Sequence, residues 1–137
     1  MVANASGLPL RSFVQQHYGD LVEEPNPSVA YPIGNAIPPR SMAKLGQVFL
    51  DDGMWKTTRV VSSEWVEQST QARFPINSTT GYGYQWWTRR YTSSAGSFDA
   101  FYAAGNGGQY VIVVEDLELV VVFTGGHFGD GRAEQVH

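Results

Sequence analysis

Apolar side chains in the first half of the chain recur at helical spacing, and in the second half they alternate or run together. Leu10, Phe13, Val14 and His17 follow the i, i+3, i+4, i+7 pattern; with Pro9 suited to a first turn and Gly19 to a stop, they predict a helix from about Pro9 to Tyr18. A second helix starts near Pro39 and ends before Gly53, placing Met42, Leu45, Val48 and Phe49 on one face. A third begins at Ser62 or Ser63, either of which is a natural N-cap, and Glu64 then sits in a first turn that favours a carboxylate. Its buried side should hold Trp65, Val66 and Ser69. The stretch Glu23 to Pro39 carries five of the seven prolines and reads as an irregular connection, because each Pro removes a donor and restricts the residue before it.

After Asn77-Ser78-Thr79-Thr80-Gly81 the texture changes to strands. Tyr82 to Tyr91, Phe98 to Ala104, Gln109 to Glu115 and Leu119 to Thr124 are rich in aromatic and β-branched residues. Val111 to Val114 and Leu119 to Phe123 are almost continuously apolar, which predicts burial on both sheet faces. The polar link Glu115-Asp116-Leu117-Glu118 is short enough to join them as an antiparallel pair. Helices first and strands last predict an α+β fold, an antiparallel sheet of three to four strands packed against helices, in a single domain over 1–137.

Composition narrows the partners. Nine Lys plus Arg against thirteen Asp plus Glu give a net charge of −4, the wrong balance for a surface that neutralises phosphates, so nucleic acid is disfavoured. With no Cys there is no disulfide framework, no thiolate nucleophile and no Cys-based zinc site. Leu119 to Phe123, the longest apolar run, is far too short to cross a bilayer, and Met1 to Asn4 shows neither the basic nor the apolar region of a secretory signal. The expectation is a chain with no membrane partner; the sequence names no compartment.

Motifs with chemistry are few. No Gly-x-Ser-x-Gly elbow, His-Glu-x-x-His or phosphate-cradling glycine loop occurs, and His17, His127 and His137 are too scattered to form a metal set, so neither metal nor cofactor is expected. Asn4-Ala5-Ser6 and Asn77-Ser78-Thr79 match the glycosylation sequon, a triplet common by chance. Gly105-Asn106-Gly107-Gly108 opens a strand rather than a helix, which fits either a plain tight turn or a strand edge that must approach a ligand closely. Ser41-Met42-Ala43-Lys44 is formally Ser-x-x-Lys, in which one helical turn brings a nucleophilic hydroxyl and a proton-accepting amine onto one face.

The stretches Ala5-Ser6-Gly7-Leu8-Pro9-Leu10, Pro39-Arg40-Ser41-Met42-Ala43-Lys44-Leu45-Gly46-Gln47, Ser63-Glu64-Trp65-Val66-Glu67-Gln68-Ser69-Thr70, Gly81-Tyr82-Gly83-Tyr84-Gln85-Trp86-Trp87, Phe101-Tyr102-Ala103-Ala104-Gly105-Asn106-Gly107-Gly108-Gln109-Tyr110 and Leu119-Val120-Val121-Val122-Phe123-Thr124-Gly125-Gly126 follow one another over nearly the whole chain. In that order they resemble the C-terminal part of the serine β-lactamase-like and penicillin-binding protein family, which includes class C β-lactamases, DD-peptidases and related esterases. The resemblance implies part of a β-lactamase/transpeptidase-like fold, and a parent activity of acyl transfer or hydrolysis at ester, amide or β-lactam bonds through a seryl intermediate.

It also implies which residues matter. The family's nucleophilic Ser-x-x-Lys and its Tyr-x-Asn element both precede the segment resembling Ala5 to Leu10, so the chain is expected to lack them and to be inactive alone. Ser41 instead falls on the family's Pro-Arg-Asp-Met-Ala-Lys-Leu-Gly helix, in place of the Asp, where it reads as a helix-start residue complementing backbone donors. Gly105, Asn106 and Gly107 resemble the Lys-Thr-Gly region, whose strand gives one N–H of the oxyanion hole, here that of Asn106. Ala104 or Gly105 stands where that motif has its cation or His, which leans the substrate toward an ester or amide. Tyr82, Trp86, Trp87, Phe101, Tyr102 and Gln109 are the candidate substrate-binding residues, with core packing against the helices the equal alternative for the aromatic ones. Gly129 to His137 offers little to a closing helix, so the chain resembles a domain trimmed at both ends. Two alternatives stand beside this reading: a minimal esterase or β-lactamase using Ser41 and Lys44, and a non-catalytic module that forms homo-oligomers through an exposed sheet edge.

Overall fold

The computed structural model describes residues 5–9, 12, 16 and 37–126. Ser12 and Gln16 are helical and exposed, the polar side of the first expected helix. Its apolar positions Leu10, Phe13, Val14 and His17 lie outside the described residues, as do the connection up to residue 36 and everything after residue 126.

Helix α1 spans Pro39–Leu50, with Pro38 in extended conformation as its N-cap and Pro39 at its first position. A fixed φ and a missing N–H cost a helix nothing there. It ends where Asp52 and Gly53 take positive φ values of 54° and 86°, and the Gly53 N–H donates to the Val48 carbonyl at 2.7 Å. A short hairpin of β1 (Met54–Trp55) and β2 (Thr58–Arg59) follows. Helix α2, Ser63–Thr70, starts as expected: the Ser62 hydroxyl accepts from the Trp65 N–H at 3.2 Å. Exposed Glu64 in its first turn is held below the usual carboxylate range, chiefly by a hydrogen bond from its own backbone N–H.

The sheet is antiparallel throughout, in the order β3 (Phe74–Pro75), β4 (Thr80–Tyr82), β5 (Trp87–Ser93), β6 (Gly96–Gly105), β7 (Gln109–Val114) and β8 (Leu119–Phe123). The fold is therefore α+β, as expected, but the sheet has six strands rather than three to four: the stretch Tyr82 to Tyr91 divides between β4 and β5, and the short β3 adds an edge before them. The stretch breaks at Gly83, whose N–H donates to the Trp86 carbonyl at 2.7 Å, and Gln85 takes a φ of 70°. Tyr82 and Trp87 thereby become direct partners on adjacent strands. The β3–β4 turn is closed by the Asn77 side-chain oxygen, which accepts from the Thr79 and Thr80 N–H groups at 2.9 Å each. That use of Asn77 gives its sequon a structural reading.

The core lies between the helices and one sheet face. Val48, Phe49, Val66, Trp86, Phe101 and Val113 form it, with the Phe49 and Trp86 rings 4.6 Å apart and Trp86 edge-on to Phe101 at 5.1 Å. Gly46 is the point of closest approach: a Cβ there would meet side-chain carbons of Val120 at 2.6 Å and Val111 at 2.9 Å. Helix α1 thus rests directly on β7 and β8.

Three expected burials do not occur. Leu45, at 46% exposure, lies off the face that Gly46, Val48 and Phe49 press on the sheet. Trp65 is 47% exposed and stacks at 5.4 Å on Tyr84 beyond the core. Strand β8 is not covered on both faces: among the described strands it lies at an end of the sheet, and Leu119 and Phe123 are exposed. Among the described residues no helix is long and apolar enough to cross a membrane.

Candidate functional site

Strand alternation sorts the candidate residues onto two faces. Val111, Val113 and Val120 meet α1; Val111 and Val113 pair with Ala103 and Phe101 on β6, and Val120 pairs with Val113. Tyr102, Ala104, Tyr110 and Ile112 alternate with these and face the other way. On that second face an aromatic row crosses the sheet. Tyr82 lies edge-on to Trp87 at 4.7 Å, Trp87 stacks on Tyr102 at 6.4 Å, and Tyr102 lies 6.3 Å from Tyr110. Each neighbouring strand contributes one ring, so cross-strand contacts rather than helix packing hold the row together.

A cleft of about 660 Å³ opens on this row, lined by Trp87, Arg89, Tyr102, Tyr110 and the turn Gly105-Asn106-Gly107. Its other walls are Asn77, Thr79, Thr80 and Ala104. The turn is tight because Gly107 and Gly108 hold φ values of 90° and 89°, and the Gly108 N–H donates to the Gly105 carbonyl at 3.3 Å. It is braced from below by Gly125, where a Cβ would collide with the Gly107 carbonyl. Asn106 at its tip is exposed, and its N–H donates to no described residue. Burial pushes the Tyr102 phenol above its ordinary range, the neighbouring Tyr91 adds to this, and Arg89 opposes it.

The structure brings some expected site residues together and separates others. Gly105, Asn106, Gly107, Tyr102 and Trp87 line the cleft. Tyr82 stands behind it, against Trp87. Trp86 and Phe101 do not reach it: both are core residues on the helix side, 5% and 4% exposed. Gln109 also faces away from it, its side-chain amide donating to the Gly125 carbonyl at 2.7 Å and so tying the turn to the end of β8.

Ser41 and Lys44 are further removed, on the helix that covers the opposite sheet face. Ser41 is 3% exposed, and its Oγ is buried with no hydrogen-bond partner. It stands in the first turn of α1, as expected of a helix-start residue, but the hydroxyl caps nothing; the Ser41 and Met42 N–H groups both reach the Pro38 carbonyl. The Lys44 ammonium lies over the Trp55 ring, 5.9 Å from its centroid.

Sequence reasoning passed over Arg89, Tyr110 and the Asn77–Thr80 turn as cleft residues. Arg89 was legible only through strand register, which puts it on the face of Trp87 once Gly83 to Trp86 is recognised as a turn. No lining residue of the cleft is His, Lys or a carboxylate. Among the described residues no group of three His, Cys, Asp or Glu is placed to hold a metal ion.

A second cleft of about 600 Å³ is lined by residues of α2, β4, β5 and β6, with Asp52 and Glu115 at its margin, and it shares Asn77, Thr79, Thr80 and Arg89 with the first. Burial raises the Glu115 carboxyl, and Asp116 and Asp52 raise it further. Arg90 and Asp99 in its wall pair with each other in two-pronged fashion, and both are exposed. It contains none of the expected site residues except Phe101.

No family model and no curated protein matches this chain.

Proposed function

We propose that this chain forms the acyl-binding side of a β-lactamase-like serine hydrolase and is catalytically silent by itself. In this reading the aromatic cleft receives the acyl group of an ester, amide or β-lactam. The Asn106 N–H donates to its carbonyl oxygen as negative charge develops there. The nucleophilic serine and its base are supplied from outside this chain, and the seryl ester that the serine forms is then hydrolysed by water. The observation that carries the reading is the separation of parts. Asn106 shares its cleft with Trp87 and Tyr102, while Ser41 and Lys44 belong to a helix on the other side of the sheet.

A buried, unpartnered hydroxyl cannot reach an acyl carbon in that cleft, and the cleft supplies no base that would activate one. Loss of nucleophile and base costs several orders of magnitude in rate. The purified chain and its Ser41→Ala variant should therefore release 4-nitrophenol from 4-nitrophenyl acetate at the same rate. A rate that falls to background on removing Ser41 would overturn this reading in favour of the minimal esterase using Ser41 and Lys44.

A second reading, self-association, rests on β8. Among the described residues it pairs only with β7, and it is uncharged from Leu119 to Phe123 with both end residues exposed. Such an edge is a template for another strand. A second copy of the same chain supplies one.

A further inference from the structure

We propose that Asn106 is a site of spontaneous covalent modification: its side-chain amide closes on the Gly107 nitrogen, loses ammonia, and opens with water to aspartate or isoaspartate. This goes beyond the acyl-binding reading, and the chemistry does not depend on it. Asn106 is the only asparagine of the chain followed by glycine; the others precede Ala, Pro or Ser. A Cβ on the following residue crowds the attacking nitrogen, and glycine has none.

The turn presents both reacting groups. Gly107 holds a φ of 90°, and the Gly108 N–H donates to the Gly105 carbonyl, so Asn106 and Gly107 are the central pair of a four-residue turn. That bond leaves the Gly107 N–H without an acceptor among the described residues. Asn106 is exposed, and its side-chain amide makes no hydrogen bond with a described residue. Ring closure requires the peptide plane between the two residues to rotate. No N–H bond to a described residue pins that plane, and the glycines on either side of Asn106 offer little resistance.

The chemistry needs only water. The Gly107 nitrogen gives up its proton and attacks Asn106 Cγ; as the Cγ–N bond forms, the amide nitrogen departs with that proton as ammonia. Water then opens the five-membered imide at one of its two carbonyls. Opening at Cγ gives aspartate, and opening at the main-chain carbon gives isoaspartate, in which the chain runs through the former side chain.

Asn77 gives the contrast. It too is exposed, but its Oδ1 accepts from the Thr79 N–H at 2.9 Å, the Thr79 hydroxyl at 3.1 Å and the Thr80 N–H at 2.9 Å, and Ser78 follows it. Modification of Asn106 would place a carboxylate on a cleft-lining turn that now carries no charge. On the acyl-binding reading, that charge stands beside the N–H offered to a developing anion and opposes it.

The test incubates the full chain under native conditions in neutral buffer, beside a synthetic peptide of residues Ala103–Tyr110, and follows both by peptide mapping with mass spectrometry. Asn106 should gain the mass difference between an amide and an acid at a rate of the same order as in the peptide. The product should resolve into aspartate and isoaspartate forms, the second of them methylated by an isoaspartyl methyltransferase. Asn77 should stay unaltered, and Asn106→Gln should abolish the change at this position. An intact Asn106 in the folded chain after the peptide has fully converted would overturn the proposal. So would conversion of Asn77 as fast as Asn106, which would show that exposure and not this turn selects the site. Either result leaves the Asn106 N–H as an acyl donor untouched.

Discussion

Ser41 shows how a residue pattern and a residue environment can point in opposite directions. Its spacing from Lys44 suits nucleophilic chemistry, yet its hydroxyl is sealed at the start of α1 without a partner. A buried hydroxyl that has given up water and gained nothing costs about 1–3 kcal/mol. Replacing it with Ala removes that cost and favours the helix. The Ser41→Ala variant should be more stable by about 1–2 kcal/mol, a rise in Tm of about 3–6 °C in thermal denaturation followed by circular dichroism. A fall in Tm would show that the hydroxyl holds a bond in solution and that its burial contributes to stability. Asn106 is the converse case. Nothing in its side chain announces acyl chemistry, and its candidate role there lies in a backbone N–H displayed by a turn that Gly107 and Gly108 make possible.

Helix boundaries were legible because they depend on local signals. Pro39 at a first turn and Ser62 as a cap set them, and both behave as those signals predict. The strand pattern was read less well, for a physical reason. Gly81-Tyr82-Gly83-Tyr84-Gln85-Trp86-Trp87 is aromatic enough to look like a strand, but its turn depends on Gly83 fitting beneath the Ser69 and Gln71 carbonyls, a tertiary contact no local pattern contains. That turn decides which rings share a face, so the split between Trp86 in the core and Trp87 in the cleft was not legible either. Nor was the exposure of β8, because an apolar run reads the same whether it is central or outermost. If two copies join through β8 antiparallel about Val121, Leu119 of one falls opposite Phe123 of the other. Changing both residues to Lys would then set like charges face to face, which opposes pairing. Light scattering should give twice the mass of one chain for the unaltered protein and the mass of one chain for the double variant. A single-chain mass for the unaltered protein would remove self-association through this edge.

For the molecule as a whole, the sheet acts as a partition. One face is sealed by α1 and α2, whose Phe49 and Val66 pack on Trp86, Phe101 and Val113, and the other displays a row of rings with an exposed glycine-rich turn at its end. The sealed face gives the fold its stability, and the displayed face holds the groups suited to a ligand. The sequence resemblance directed attention to the Gly105-Asn106-Gly107 turn, and the geometry adds Arg89 and Tyr110 beside it. What the displayed face lacks, among the described residues, is an activated nucleophile. A fluorophosphonate probe reports on that point, because it reacts with an activated serine and leaves an inert hydroxyl untouched. Intact-mass spectrometry after incubation should show the unmodified chain, under conditions that fully label a control serine hydrolase. One stoichiometric adduct, mapped by peptide sequencing to Ser41, would contradict the silent-partner reading.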